Sequence, residues 1–319
     1  FITVDALEAG KHVMCEKPMA KTVADAKLML EAAKRTGKKL TIGYQNRQRK
    51  EMRHLKQLCA DGVLGDIYYI QTGGGRRRGI PAKGNKDTFI RDDTAGIGAL
   101  GDIGCYSIDM IMNAIGHPKP LTATGMISNR FGKDPNYSGY APENAAEFAE
   151  KFGVDDFAGG FIRLEGDIIL DFRISWAMNM DSPGDTIILG TEGGLRIPST
   201  ECWNGTVGGE MTIYKEVEGL QTELKVPIIG NGKCDRVGLK IGSFVEAIKN
   251  GERNFAAIAI VGGKAGEKPT FCAPCGVCRQ VMAEFCPKDF RILLGTKEDF
   301  KAYSFEDLFP FSFSPENLR

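Results

Sequence analysis

A lysine in a short unit that directly follows a strand and precedes a helix is placed to do electrophilic chemistry. Cys15-Glu16-Lys17-Pro18 has that form. At the carboxyl end of a parallel strand, where open α/β sheets bind their ligands, the ammonium lies in the crevice. There it can hydrogen-bond a substrate hydroxyl and favour the alkoxide as a hydride leaves. Pro18 fixes the turn that aims it. Taken alone, the tetrapeptide also describes a solvated surface lysine beside a turn proline, because motifs this short recur by chance.

The second set of chemically useful residues lies in Gly96-Ile97-Gly98-Ala99-Leu100-Gly101-Asp102-Ile103-Gly104-Cys105-Tyr106, followed by Asp109. It contains a literal G-x-G-x-x-G at Gly96, Gly98 and Gly101. A dinucleotide fingerprint needs an apolar strand just before it and an acid about 20 residues after it. Here Arg91-Asp92-Asp93-Thr94-Ala95 precede it, and the stretch around Leu121–Gly125 offers no acid. The stretch reads instead as a helix N-terminus on which Asp102 and Tyr106, at i and i+4, share a face. A carboxylate and a phenol aimed at a lysine form a proton-handling set. Without such a lysine, the same residues describe a capping Asp and a packed Tyr.

The third set is Cys272, Cys275, Cys278 and Cys286. Pro274-Cys275-Gly276-Val277-Cys278 is a C-x-x-C preceded by proline, the form in which zinc deaminases present two metal ligands. A catalytic zinc needs three protein ligands and an open water position. Cys275 and Cys278 supply two, so the zinc site is incomplete. A four-cysteine iron–sulfur site is disfavoured, since the spacing matches neither common ferredoxin run.

The elements that must position these residues follow from periodicity and punctuation. Residues 2–10 read as the last turns of a helix ending at Gly10, and His12–Cys15 as a short strand. Thr22 caps an amphipathic helix with Val23, Ala26, Leu30 and Ala33 on one face and Gly37 as its stop. Leu40–Gly43 is a further strand, completing a βαβ rhythm. Residues 50–62 form one more helix. Strand-like runs then follow at Ile67–Thr72, Gly160–Leu164, Ile168–Trp176, Thr186–Gly190 and Glu210–Val217, with a helix at Asp102–Ala114. Runs at such short spacing suggest a mostly antiparallel sheet. The loop at 130–157 is expected to cover the site.

Composition excludes several classes. The 319 residues carry 41 basic and 41 acidic side chains, which gives no basic footprint for nucleic acid. A hydrophobic share of 42% is ordinary for a soluble globular chain, and no apolar run reaches the length of a membrane span. The 40 glycines favour tight turns and a substantial sheet. Cys15, Cys59, Cys105, Cys202 and Cys234 are scattered and read as buried small residues of a reducing, cytoplasmic compartment. The chain opens on Phe1, so the expectation is that the true N-terminus lies upstream, together with any export signal it carries.

The strand–Glu-Lys-Pro–helix unit, Leu40-Thr41-Ile42-Gly43-Tyr44-Gln45-Asn46-Arg47, the Asp102…Tyr106 helix and Leu189-Gly190-Thr191-Glu192-Gly193-Gly194 occur in one order. That order resembles the Gfo/Idh/MocA oxidoreductases, over about residues 1–250. The resemblance implies an NAD- or NADP-dependent enzyme acting on a sugar, polyol or related carbohydrate. It implies that Lys17 is the catalytic lysine, that Asp102 orients the substrate, and that Glu16, Pro18 and Gln45 lie at the cofactor. Many members have His four residues after that Asp; this chain has Tyr106, as glucose–fructose oxidoreductase-like members do. A phenol, with an ordinary pKa near ~10, then needs a nearby cation such as Lys17 to act at neutral pH. The resemblance also implies a dimer or tetramer paired through sheet faces. The chain departs from the pattern in starting sixteen residues before Lys17, so the phosphate-binding glycine turn is expected to be missing and the chain to be inactive as it stands.

The tail from Phe255 through Phe285 to Leu308-Phe309-Pro310 closely resembles the C-terminal half of cytidine deaminases. The family's His/Cys-Ala-Glu triplet would belong on the helix before Gly251, but that stretch reads Val237-Gly238-Leu239-Lys240-Ile241-Gly242. The two resemblances meet near Ala247–Glu252. This points to a join of two unrelated genes, by assembly error or recombination, rather than a bifunctional enzyme.

The expected architecture is therefore threefold. Residues 1–46 are an α/β remnant of a doubly wound, Rossmann-type domain. Residues 47–250 are an α+β substrate and oligomerisation domain with a mostly antiparallel sheet. Residues 251–319 are a deaminase-like α/β fragment. The leading function is a sugar oxidoreductase. A zinc-dependent cytidine deaminase and a non-catalytic sugar-binding or dimerisation module are the alternatives.

Overall fold

The computed structural model describes residues 1–82, 87–200, 205–227, 236–249, 257–260, 290–295 and 300–308. Contacts divide the chain into two units, one of Phe1–Cys15, Leu28–Thr41 and Asp235–Arg319, the other of Glu16–Lys27 and Ile42–Cys234.

The first unit is built from short elements. Helix α1 (Ile2–Glu8) closes at Gly10, whose φ of 77° is open to glycine without a Cβ penalty. Strands β1 (Val13–Cys15) and β2 (Leu40–Ile42) form a two-stranded sheet. Between them runs α2 (Val23–Thr36), begun by Thr22, whose Oγ1 accepts from the Asp25 N–H at 3.1 Å. Gly37 ends it at φ 67°.

The buried stripe of α2 differs from expectation. Met29 and Ala32 are buried, whereas Val23 and Leu30 are exposed. Leu28-Met29-Leu30 puts three apolar residues in succession, so periodicity fits more than one face and packing selects among them. Cys15, Cys59 and Cys105 are half-buried rather than core residues. In the tail, β11 (Ala257–Ile260) pairs parallel with β12 (Arg291–Gly295), and β12 pairs antiparallel with β13 (Phe300–Ser304). Cys202, Cys234, Cys272, Cys275, Cys278 and Cys286 lie outside the described residues.

The second unit is an eight-stranded sheet. Its strands are β3 (Ile67–Gly75), β4 (Pro120–Ser128), β5 (Phe157–Leu164), β6 (Ile168–Ser175), β7 (Thr186–Gly190), β8 (Gly194–Ile197), β9 (Met211–Val217) and β10 (Leu220–Val226). Their order is β10-β9-β8-β7-β3-β6-β5-β4, and β3 with β6 is the parallel pair in an otherwise antiparallel ladder. In β6, Leu170, Phe172 and Ile174 are buried while Ile169 and Arg173 are exposed, the period of two that a one-sided sheet imposes.

Two helices, α3 (Lys50–Ala60) and α4 (Cys105–Ala114), cover the inner face. Met52, Leu55, Met110 and Ile111 pack there on Ile70, Leu170, Ile188 and Leu195. The other face leaves Tyr68, Phe161 and Ile169 exposed. The 130–157 segment is not an open cover. Helix α5 (Ala145–Lys151) lies within it, and Tyr137, Tyr140, Phe148 and Phe152 are buried with Ile103, Ile174 and Trp176. Its aromatic residues make it a second core behind α4.

Candidate functional site

Three glycines at the end of β3 set the site's depth. Gly73, Gly74 and Gly75 are buried, and a Cβ on Gly74 would lie 2.7 Å from Ser107 Oγ. The missing Cβ of Gly74 lets α4 lie directly on the strand, where Ser107 Oγ donates to the Gly73 carbonyl at 3.0 Å, while a Cβ on Gly73 or Gly75 would meet Pro183 or Met178. The parallel pairing of β3 with β6 aligns Gly75 with Ser175, so Arg76 and Trp176 leave the sheet at the same end. The Arg76 N–H donates to the Ser175 carbonyl at 2.9 Å, and the Gly79 N–H to that of Trp176 at 2.8 Å.

A π-helical turn, Leu100–Gly104, leads into α4 and carries Asp102. Single π turns inside helices recur at functional sites. Both oxygens of the Asp102 carboxylate are held. Lys17 Nζ donates to Oδ1 at 3.0 Å and to the Asp102 backbone carbonyl at 2.6 Å. Trp176 Nε1 donates to Oδ2 at 3.0 Å, and Arg76 Nη2 approaches the same atom at 3.3 Å. The side chains of Lys17 and Asp102 are 17% and 13% exposed, enough for one face to meet a small ligand.

The Lys17 ammonium also lies 4.7 Å from the centroid of the Tyr106 ring, a cation–π distance. Tyr44 packs edge-on to the same ring with centroids 6.3 Å apart. Burial pushes the Tyr44 phenol up to about 12, with Cys105 and Asp109 adding to it. Asp109 is occupied elsewhere, accepting from Arg47 Nε at 3.0 Å on each oxygen. The expected trio of Lys17, Asp102 and Tyr106 is therefore brought together, and Lys17 is the residue that touches both others.

Glu16 and Pro18 are exposed and flank Lys17, whose peptide bond to Pro18 is cis. The Glu16 carboxylate lies over Gly43, where a Cβ would stand 2.8 Å from Oε2. Gln45 is half-buried at the start of a 3-10 turn, Gln45–Gln48, two residues beyond Gly43. Cys275 and Cys278 lie outside the described residues, and among the described residues no cluster of three His, Cys, Asp or Glu could hold a metal.

Arg76, Trp176 and Asp155 are the site residues that the sequence reading missed. The signal for the first two was the pair of strand ends: a glycine run followed by Arg, and an alternating strand ending in Trp. The Gly96–Gly101 turn has its own anion. The Gly98 and Leu100 N–H groups donate to the two oxygens of Asp155 at 2.8 and 2.9 Å, and the Ala99 N–H to the Asp155 carbonyl at 2.9 Å. A Cβ on Gly98 would run into the Asp155 backbone. The motif is a helix N-terminus filled by an internal carboxylate, so it does not fit a cofactor pyrophosphate. The donor set around Lys17, by contrast, fits the reacting end of a nicotinamide and a hydroxylated substrate.

Comparison with known proteins bears on the family and the fold. Residues 2–44 match the model described as "Oxidoreductase family, NAD-binding Rossmann fold", and residues 52–196 match "GFO/IDH/MocA C-terminal domain". D-glucoside 3-dehydrogenase of Escherichia coli (strain K12) is 32% identical over 187 residues, covering 57% of this chain. The chain spans 52% of that relative's length. Among solved structures, an oxidoreductase domain protein from Kribbella flavida superposes with a TM-score of 0.63 at 23% identity, over 79% of this chain and 69% of that one. Levoglucosan dehydrogenase in complex with NADH and levoglucosan gives a TM-score of 0.61 at 21% identity, over 78% of this chain and 67% of that one. These two show a shared fold.

Proposed function

We propose that the chain, which matches Gfo/Idh/MocA oxidoreductase family models over residues 2–44 and 52–196, is an oxidoreductase of that family that oxidises a sugar hydroxyl or reduces the corresponding ketone. The observation that carries the reading is the convergence of Lys17, Asp102 and Tyr106 around one ammonium. A relative named for oxidation at a glucoside's third carbon, and a structure holding NADH with an anhydrosugar, support a pyranose-like substrate.

When bound, NAD or NADP supplies the hydride acceptor at the nicotinamide C4. The chain's own residues do the rest. Lys17 Nζ holds the substrate oxygen and favours its deprotonated form. Asp102, clamped by Trp176 and Arg76, fixes the direction of that ammonium and orients a neighbouring hydroxyl. The Tyr106 phenol moves the proton, with the Lys17 cation against its ring. Glu16, Pro18 and Gln45 flank the place where the nicotinamide lies in this reading.

The test is turnover of a panel of pyranosides with NAD⁺ and NADP⁺ by the gene product that carries these residues. Lys17→Ala should lower kcat by at least about 100-fold, as expected for a positioned electrostatic group, and Tyr106→Phe by less. Wild-type turnover in Lys17→Ala would refute the site. Calorimetry of the 319-residue chain with NADH and NADPH shows whether these residues alone hold the cofactor.

A second reading rests on the tail. The parallel pairing of Ala257–Ile260 with Arg291–Gly295 favours an α/β arrangement there, as the deaminase resemblance implies. Zinc on Cys275 and Cys278 with conversion of cytidine to uridine, lost in Cys275→Ala, would support it. No turnover with excess zinc would remove it.

A further inference from the structure

We propose that Asp155 is a positioning residue for this reaction, setting the place of Asp102 through the helix turn while its neighbour Asp156 holds the other side; the inference rests on the reading of the site given above. Asp155 is 6% exposed, yet its carboxylate touches no substrate-facing group. It spends both oxygens on the Gly98 and Leu100 N–H groups, and its carbonyl takes the Ala99 N–H. Three consecutive orphan donors of the helix N-terminus are thus satisfied by one residue. Asp102 follows two residues later, and its own N–H donates to the Gly98 carbonyl at 3.0 Å. The start of the π turn is therefore fixed by Asp155, and Asp102 with it.

The second side runs through the chain. Asp156, next to Asp155, takes the Trp176 N–H on its carbonyl at 2.8 Å, and the Trp176 indole donates to Asp102 Oδ2. Asp155 carboxylate, helix turn, Asp102, Trp176 and Asp156 thereby close a ring of contacts with no flexible linker in it. Asp156 is 1% exposed, and its carboxylate takes the Gly132 N–H at 2.7 Å, which anchors the ring to the 130–157 core. A group held this way loses its alignment when one bond of the ring opens, and a misplacement of about 1 Å at a reacting centre can cost ~100-fold in rate.

The experiment compares Asp155→Asn, Asp155→Ala and Lys17→Ala in the full gene product. Asp155→Ala should lower kcat by about 10- to 100-fold, and Asp155→Asn, which keeps one acceptor, by less. KM for the dinucleotide should stay within about 2-fold of wild type, because the Gly96–Gly101 turn holds an internal carboxylate and not a phosphate. A second readout needs no turnover. In a Trp203→Phe background of the 319-residue chain, Trp176 is the only tryptophan. The Asp155 variants should move its emission in the direction of Asp102→Ala, which removes the indole's acceptor. Wild-type kcat in folded Asp155→Asn and Asp155→Ala, with Lys17→Ala inactive, overturns the positioning role and leaves the reaction standing. Full turnover in Lys17→Ala overturns the reaction itself. If Asp155→Ala fails to fold, the isosteric Asp155→Asn decides on the same two readouts.

Discussion

Lys17 and Asp102 stand 85 residues apart in the chain and meet twice, through the carboxylate at 3.0 Å and through the Asp102 backbone carbonyl at 2.6 Å. The double contact fixes the ammonium along one direction, with the Tyr106 ring on another side of it. A cation so held has little left to reorganise when a substrate oxygen gains charge, which is the condition for electrostatic preorganisation.

Trp176→Phe should test the other end of that arrangement. Trp176 is fully buried and its indole is one of three side-chain donors to Asp102. Losing a hydrogen bond to a carboxylate and leaving a small void should cost about 1–3 kcal/mol in urea denaturation. kcat should fall in the folded variant. An unchanged kcat would mean that Arg76 and Lys17 suffice to hold the carboxylate.

The glycines of the Gly96–Gly101 turn should not be equivalent. A Cβ on Gly98 meets Asp155 backbone, which cannot move without opening the turn. A Cβ on Gly101 meets the Ile97 side chain, whose Cγ2 can swing away by rotation while its Cβ, at 2.9 Å, has to give by a few tenths of an ångström. Gly98→Ala should therefore cost at least about 2 kcal/mol and Gly101→Ala distinctly less. Equal losses in a chemical denaturation series would contradict the account of the turn.

Cys105, between Asp102 and Tyr106, should react slowly. Burial pushes its thiol up to about 11, against the downward pull of Lys17. The thiolate is the nucleophile, so a raised pKa leaves little of it at pH 7–8, and alkylation should accelerate as pH climbs toward 11. Lys17→Ala removes the opposing cation and should slow the reaction further. Rapid modification at pH 7 with iodoacetamide would show that the thiol is not shielded as described.

The uncovered face of the eight-stranded sheet, with Phe161 and Ile169 exposed, should pair copies of this chain into a dimer or tetramer. A buried apolar face of that kind tolerates no charge. Light scattering on wild type and on Phe161→Glu with Ile169→Glu checks it. A monomeric wild type would remove the interface.

The sequence by itself determined much of this protein. Thr22 and Gly37 bracket a helix by capping and by a left-handed φ, both local effects. The alternation in Ile168–Ser175 is a strand because one face must be buried. Motif order and residue type singled out Lys17, Asp102 and Tyr106, and the structure brings the three together. Strands β4 (Pro120–Ser128), β8 (Gly194–Ile197) and β10 (Leu220–Val226) were not legible. β4 and β10 are the sheet's edges and largely exposed, so they lack the apolar alternation that marks a strand, while β8 is only four residues long. The buried face of α2 was decided by packing, since three successive apolar residues satisfy several faces at once.

Only the tertiary structure decided what Arg76, Trp176 and Asp155 do. Each acts across a long stretch of chain: Trp176 reaches Asp102 from 74 residues away and Asp155 reaches Gly98 from 57. Their partners are set by the β3–β6 pairing and by the approach of α4 over Gly74, neither of which has a local signature. The G-x-G-x-x-G string shows the same limit from the other side. Its spacing is that of a phosphate cradle, but a buried carboxylate from a distant loop occupies the N–H groups, and an anion site already filled from within has none left to offer a ligand.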